Sequence, residues 1–503
     1  MKTSGREIFA GYTSAETFAR IKEYGSVSEM WANCIGEYGD RVAIVDQGVN
    51  YTYAQLEKRA GILRGILTPP AGENKRVGIY MANSVEFVEA FLAVVTAGHT
   101  AVILPPQLDE QSVYGCMMKF GMDTLMYLPD AEEKVAFAKK MLPDKQYIPA
   151  DIQGDAVSPM KECLSTDPCV IMFTGGTTGK SKGALLSNGA VLQGVVNGCY
   201  GYEHVFGQRY LLVLPLSHVF GLVRNLLTSL YTGSAMYICR NNQDMFRDIA
   251  VFKPTILVMV PALAEMALKL SKQFGRNMLG EDLKYIICGA AAVAPYLLSE
   301  YRKYDVTLFP GYGLTETANL VSGNPETVKK PDSVGIMYPN QEYRIEEGEL
   351  WLKGSNIMEG YIGEPEEGME DGWFKTGDLV RVDEDGFLYI VGRKKEIIVL
   401  SNGENVSPAE VESKFNALDF VQDSQVFEDM DEGGSHFLAL EIVPRLSELK
   451  EIPADQQKDY MIEELQKVNA SLPGYQRVNR IEIRESDFAR TPSMKIVRYN
   501  KCK

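Results

Sequence analysis

Most of the chain alternates short apolar runs with segments of helical period. "FVEAFLAVVTAG" (87–98) predicts a buried helix that stops at Gly98, and "HTAVILP" directly after it predicts a buried strand. "CVIMFT" (169–174) is a further short apolar strand, and it runs straight into a glycine-rich loop. "LSNGAVLQGVVNGCYGY" then predicts a helix start with Ser187 or Asn188 as its N-cap. The runs "RYLLVLPL", "TILVMVP", "KYIICGA" and "VTLFPGYG" follow, interleaved with helical stretches such as "PALAEMALKLSKQF". Apolar runs without polar alternation are what strands covered on both faces need, so this part predicts α/β architecture with parallel strands.

After about Gly335 the texture changes. "EYRIEEGELWLKG" and "GFLYIVGRKKEIIVLS" predict antiparallel hairpins, a small barrel-like β part. "PAEVESKFNAL" and "DQQKDYMIEELQKVNASL" predict helices on either side of a strand pair, "DSQVFEDM" and "HFLALEIVP". The expected organisation is a large N-terminal domain of layered α/β subdomains over 1–393 and a small mobile α+β domain over 394–503. The charged segment "VGRKKEII" is the candidate hinge between them. A length of 503 residues agrees with more than one core.

Charge and cysteine usage remove several classes of function. A formal net charge of −16 disfavours nucleic acid as a partner, although a small anionic ligand needs only a local field. Eight cysteines occur without a CxxC pair, and the four histidines are isolated. Zinc ligation and a disulfide framework are therefore not expected, and reduced thiols in a cytoplasmic protein are. The first residues lack the apolar core of a signal peptide. The longest apolar stretch is broken by Glu89, Gly98 and His99, so no integral membrane segment is expected.

The loop "FTGGTTGKSKG" (173–183) has the glycines and the Gly-Lys-Ser triplet of a Walker phosphate loop, but Thr174 stands where that pattern needs glycine. Backbone N–H groups free of Cβ atoms, threonine hydroxyls and two lysines still suit a polyphosphate. Downstream, "GYGLTET" (311–317) puts an aromatic face, a hydroxyl and a carboxylate within a few residues, a set that suits a base, a phosphate and a hard cation.

Taken in order, these blocks resemble the adenylate-forming superfamily of acyl-CoA synthetases, luciferases and peptide-synthetase adenylation domains. The resemblance implies that Thr174, Gly175, Gly176, Thr177, Thr178, Gly179, Lys180 and Lys182 hold the β- and γ-phosphates of ATP. It implies that "ICGAAAVAP" receives adenine at Gly289, Ala290 and Ala291. In "GYGLTET", Tyr312 would stack on adenine, Thr315 contact phosphate and Glu316 ligate Mg²⁺, with Gly313 beside the substrate. Asp378 of "WFKTGDL" would bind the ribose hydroxyls, and Arg393 ribose or phosphate. Lys395 would lie at the pivot, Gly403 in the thiol tunnel, and Lys495 of "RTPSMKIVRYN" would be the catalytic lysine. Departures from the family form are Gly175 for serine, Ser181 and Ala292 for proline, and Met494 for glycine.

The implied chemistry is attack of a carboxylate on the α-phosphate of ATP, giving acyl-AMP and pyrophosphate, then thiol attack on the acyl carbon. Coenzyme A is the expected thiol, which makes the chain a fatty or aryl acid–CoA ligase. The alternative acceptor is the phosphopantetheine arm of an acyl carrier protein. "LPLSHVFGLVRNLL" (214–227) resembles the segment lining the acid pocket, with His218 as a gate. Amino-acid-activating members place aspartate where this chain has Val219, so an α-ammonium would be left unpaired. Arg224 would favour a second negative group if it faced the pocket, but its spacing equally fits a surface ion pair.

Overall fold

The computed structural model describes residues 5–67, 74–150, 154–174, 182–400, 404–430, 436–490 and 496–498. The apolar runs form two large sheets. In one, Tyr285–Cys288 lies between Ile256–Met259 and Thr307–Leu314, and all three are parallel. This sheet continues through Arg209–Leu212 and Ala235–Ile238 to Val42–Asp46, again in parallel. The other sheet is built around Arg76–Tyr80, Thr100–Leu104 and Pro168–Thr174, which are parallel to one another. The helix Val85–Thr96 is buried on nearly every side, and Gly98 beyond it takes a left-handed φ of 75°.

The chain departs from simple α/β alternation at the glycine-rich loop. After Pro168–Thr174 it returns as an antiparallel strand, Lys182–Ser187, and only then enters the helix Asn188–Asn197, which Ser187 caps. Gly183 is required on the returning strand, because a Cβ there would lie 2.5 Å from Phe120 and 2.9 Å from Ile171.

The period-two region forms an antiparallel sheet, with Gln341–Glu346 on Glu349–Gly354 as expected. "GFLYIVGRKKEIIVLS" does not form a hairpin. Leu388–Arg393 pairs instead with the long strand Trp373–Val382. A 3₁₀ turn over Lys394–Glu396 follows, and Ile398–Val399 joins Asn405–Val406 in a separate ribbon. Beyond it, Val421–Met430, His436–Pro444 and Arg480–Ile483 make a small sheet covered by Pro408–Phe415 and Gln457–Ser471. Val411, Phe415, Val426, Leu440 and Leu465 form its own core, distinct from that of the preceding sheets. The fold is thus a large α/β N-terminal domain with a half-barrel sheet, followed by a smaller α+β domain. Among the described residues, no helix is long and apolar enough to cross a membrane.

Candidate active site

Thr174 and Lys182 face each other across the hairpin and hold the two ends of the glycine-rich loop. The expectations for Gly175, Gly176, Thr177, Thr178, Gly179 and Lys180 fall outside the described residues, as do those for Gly403 and Lys495. Since a strand follows the loop, no helix N-terminus directly follows it, unlike a Walker loop. Lys182 does not stand free for a phosphate. It pairs with Glu364 at 3.2 Å and with Glu367, and its ammonium lies 5.2 Å from the centroid of the Tyr361 ring. The hydrogen bond to Glu367 leads in raising the Lys182 pKa.

The strand Thr307–Leu314 carries Tyr312 and ends in a single 3₁₀ turn, Thr315–Thr317. Glu316 sits in that turn, and its Oε1 accepts a hydrogen bond from Tyr361 Oη at 2.6 Å. Burial, followed by the Glu316 charge, pushes the Tyr361 phenol far above its ordinary value. Met358 N donates to the Glu316 carbonyl, while Glu359 N and Ile362 N donate to Leu185 and Gly183. The segment Met358–Ile362 therefore straps the 3₁₀ turn to the strand leaving the glycine-rich loop. Sequence reasoning missed Tyr361. Its contacts are non-local, and the Gly-Tyr pair at 360–361 carries no periodic signal.

Asp378 and Arg393 are register partners on adjacent antiparallel strands. The Asp378 side chain is buried, and Arg393 Nε lies 2.7 Å from its Oδ1. Tyr312 Oη donates to Asp378 Oδ2 at 2.6 Å. The predicted adenine, ribose and phosphate residues thus meet around one carboxylate. Burial, and then the adjacent Asp378 charge, holds the Tyr312 phenol protonated well above its usual range. Burial works against the Arg393 charge, but Asp378 leads the opposing influences and the guanidinium pKa is raised.

Gly289 leaves a narrow approach. A Cβ there would lie 2.9 Å from the Gly311 carbonyl oxygen and 3.5 Å from Phe220. Ala290 has a left-handed φ of 67°, and Ala291 is exposed. Gly313 has a packing reason of its own: its Cβ would meet the Asn319 carbonyl at 2.1 Å. The bulge between Tyr312 and Gly313 is where that strand presses on its neighbour.

His218 and Val219 are half-buried at the start of a π-helix, Phe220–Leu227. Gly221 seats this helix, because a Cβ there would lie 2.2 Å from the Pro215 carbonyl oxygen. Widened turns of this kind are frequent at functional sites. Arg224 lies within the helix at 0% exposure, which rules out the surface ion pair its spacing allowed.

Lys395 is exposed in the 3₁₀ turn, next to Lys394, which pairs with Glu349 at 2.9 Å. Arg498, three residues beyond Lys495, pairs with Glu396 of the same turn at 3.1 Å and with Glu412 at 2.6 Å. Among the described residues, no group of three or more His, Cys, Asp or Glu gathers to hold a metal. A Mg²⁺ that keeps most of its water and shares substrate phosphates needs only one or two carboxylates, and Glu316 fits that use.

Residues 31–362 match the family model described as AMP-binding enzyme, and 395–503 match the AMP-binding enzyme C-terminal domain. A long-chain-fatty-acid–CoA ligase of Yersinia pestis is 28% identical over 454 residues, 77% of this chain and 80% of the relative. A feruloyl-CoA synthase of an Amycolatopsis species is 29% identical over 400 residues, 74% and 79% of the two chains. The fold is similar to o-succinylbenzoate CoA synthetase from Bacillus subtilis in complex with its acyl-adenylate, with TM-score 0.77, 24% identity, and 95% and 98% of the chains covered. It is also similar to an anthranilate CoA ligase bound to anthranoyl-AMP, with TM-score 0.83, 19% identity, and coverage of 95% and 97%.

Proposed function

The chain belongs to the AMP-binding enzyme family, and from that premise we infer that it is an AMP-forming acid–CoA ligase acting on an aliphatic or aryl carboxylic acid. ATP, Mg²⁺ and coenzyme A are its cosubstrates and cofactor. The observation that carries the reading is the meeting of Tyr312, Asp378 and Arg393 around one buried carboxylate. The relatives named for long-chain fatty acids and for feruloyl-CoA support the range of acids.

In the first half-reaction a carboxylate oxygen of the acid bonds to the α-phosphorus of ATP, and the bond from that phosphorus to the bridging oxygen of pyrophosphate breaks. Asp378 accepts hydrogen bonds from the ribose hydroxyls, which a neutral side chain would do more weakly. Tyr312 and Arg393 hold that carboxylate in place, so little reorganisation remains when the nucleotide arrives. Tyr361 orients Glu316, which would hold Mg²⁺; bound there, the ion supplies neutralisation of phosphate charge. Lys495 is assigned the charge gathering between the carboxylate and the α-phosphate. In the second half-reaction the thiol sulfur bonds to the acyl carbon, AMP leaves with the electron pair, and the thiol proton passes to solvent.

We place the domain division at 393/394, with Lys395 at the pivot and Gly403 beside the incoming thiol. The 3₁₀ turn at Lys394–Glu396 and the separate core beyond it support this division. The seven cysteines among the described residues are all free, which supports a cytoplasmic setting.

The test is purified protein with ATP, Mg²⁺ and a panel of acids, read first by pyrophosphate release. Acyl-CoA is then sought by mass spectrometry with coenzyme A or a holo-carrier protein as acceptor. Acid-dependent pyrophosphate release and acyl-CoA are expected. No release with any acid would overturn the reading, and thioester on the carrier alone would move the acceptor to a carrier protein.

A further inference from the structure

The small domain meets the large one both beside the hinge and far from it. Beside the hinge, Ser407 Oγ donates to the Val391 carbonyl at 2.8 Å. Far from it, Arg445, which directly follows the strand His436–Pro444, reaches Tyr296 on the helix Pro295–Arg302. Arg445 Nη2 donates to the Tyr296 hydroxyl at 3.2 Å, and its Cζ lies 5.3 Å from the centroid of that ring. The arginine is itself fixed within the small domain. Its Nη1 donates to the Asp419 carbonyl at 2.7 Å, and its backbone N–H to the Phe420 carbonyl at 2.5 Å. On the large-domain side, Glu265 of the helix Pro261–Phe274 completes the cluster. Burial leads in raising the Glu265 pKa, and the Arg445 charge is the strongest influence against it. The Tyr296 phenol is raised by burial and then by the Glu265 charge.

This cluster lies between two parts of the first half-reaction. The helix Pro295–Arg302 begins a few residues beyond Gly289, Ala290 and Ala291, the adenine segment. In the small domain, Arg490 is tied to Asp423 at 2.5 Å, and the charges of both are felt at Glu265. Arg490 also forms an antiparallel bridge with Ile496, and Val497 N donates to the Ala489 carbonyl at 2.8 Å. Lys495 falls between the two bridged residues in the chain. The contact at Tyr296 therefore fixes where the base of the lysine segment stands relative to the adenine segment. The hinge itself is tied to a different domain on each side, Lys394 to Glu349 and Glu396 to Arg498. A turn of the small domain about Lys395 leaves both pairs intact, but a contact as far from the pivot as Arg445 on Tyr296 must break.

We infer that Arg445 is a positioning residue for acyl-AMP formation. Docked on Tyr296 and Glu265, it holds the small domain in the orientation that presents the Lys495 segment to the nucleotide, and it must let go before the thiol step. It touches neither substrate nor cofactor and acts through Lys495. A charge-assisted hydrogen bond that is half-exposed to solvent changes the occupancy of such a seat by about tenfold. Removing it should therefore lower the rate of the step that needs the seat and leave ATP binding nearly untouched. This inference rests on the acid-activating reading above and adds a residue to its first half-reaction.

The test separates the two half-reactions in the full chain, using the best acid of the panel. Single-turnover pyrophosphate release reads the first, and thioester formation from presynthesised acyl-AMP and coenzyme A reads the second. Arg445→Ala should slow pyrophosphate release about tenfold with KM for ATP within about twofold, and leave thioester formation within about twofold of wild type. Tyr296→Phe removes only the accepting hydroxyl and should slow the first step about threefold. It keeps the test decisive if the alanine variant does not fold. In the double variant the loss should not exceed that of Arg445→Ala alone, because the two residues act through one contact. A readout that needs no turnover is tryptic cleavage at the hinge, where Lys395 is exposed. Loss of the seat should speed that cleavage about fivefold. Equal losses in both half-reactions, a loss confined to the thiol step, or unchanged rates and cleavage in both variants would overturn the inference. Silence of the wild type with every acid would instead sink the reading beneath it, while the cleavage rates still show whether Arg445 holds the domain.

Discussion

Arg393 and Arg224 meet the same requirement in opposite ways. Arg393 keeps 41% of its side chain exposed and yet has a carboxylate at 2.7 Å, while Arg224 has no exposure and no carboxylate. Water alone would satisfy much of the Arg393 charge, so its pairing with Asp378 serves geometry more than stability. For Arg224 the aromatic faces return only roughly 2 kcal/mol, against a desolvation cost of several. The Tyr312–Asp378–Arg393 cluster is therefore held by its own partners, whereas Arg224 is held by the packing around it at an electrostatic cost.

The comparison can be broken most severely at Asp378. Asp378→Ala leaves Tyr312 and Arg393 without their shared acceptor. We expect kcat/KM for ATP to fall about 100-fold, measured by acid-dependent pyrophosphate release, since a charged hydrogen-bonded group removed from a pair costs about 3 kcal/mol. Gly221→Ala attacks the other side through its scaffold. The added methyl group meets the Pro215 carbonyl at 2.2 Å, so the π-helix must shift. Denaturant unfolding should show a loss of about 2 kcal/mol. Tyr312→Phe is milder. It removes one neutral donor to Asp378, and KM for ATP should rise about fivefold, the worth of roughly 1 kcal/mol. The smallest effect is expected at the surface. Glu364→Gln with Glu367→Gln releases Lys182 from both carboxylates, and KM for ATP should fall by about twofold at low salt, with the gain vanishing as salt is added.

What the residues disclosed in advance followed from local rules. Short apolar runs marked Tyr285–Cys288 and Ile256–Met259, and a serine before a helical period marked the cap at Ser187. Asp378 and Arg393 lie fifteen positions apart on neighbouring strands, so a motif scan finds both. The returning strand Lys182–Ser187 stayed hidden, because "KGALLS" reads equally well as the approach to a helix and its tight seat against Phe120 is non-local. Tyr361 on Glu316 and the two carboxylates on Lys182 also come from segments 45 or more positions away. Arg224 was the hardest case. An arginine within an apolar helix is ordinarily exposed or paired, and only the packed phenols around it show that it is neither.

The Gly311 backbone has one further consequence. Its carbonyl lies close against Gly289, while its Cα faces Leu320 and borders a water-sized gap among Tyr200, Tyr202 and Tyr338. The Gly311 peptide is thus packed on both sides. A side chain added at Gly311 would meet Leu320 at 2.8 Å, so the strand could relieve the clash only by moving its carbonyl towards Gly289 or by displacing Leu320. We expect Gly311→Ala to disturb the Gly289 contact as well, which unfolding together with KM for ATP would read.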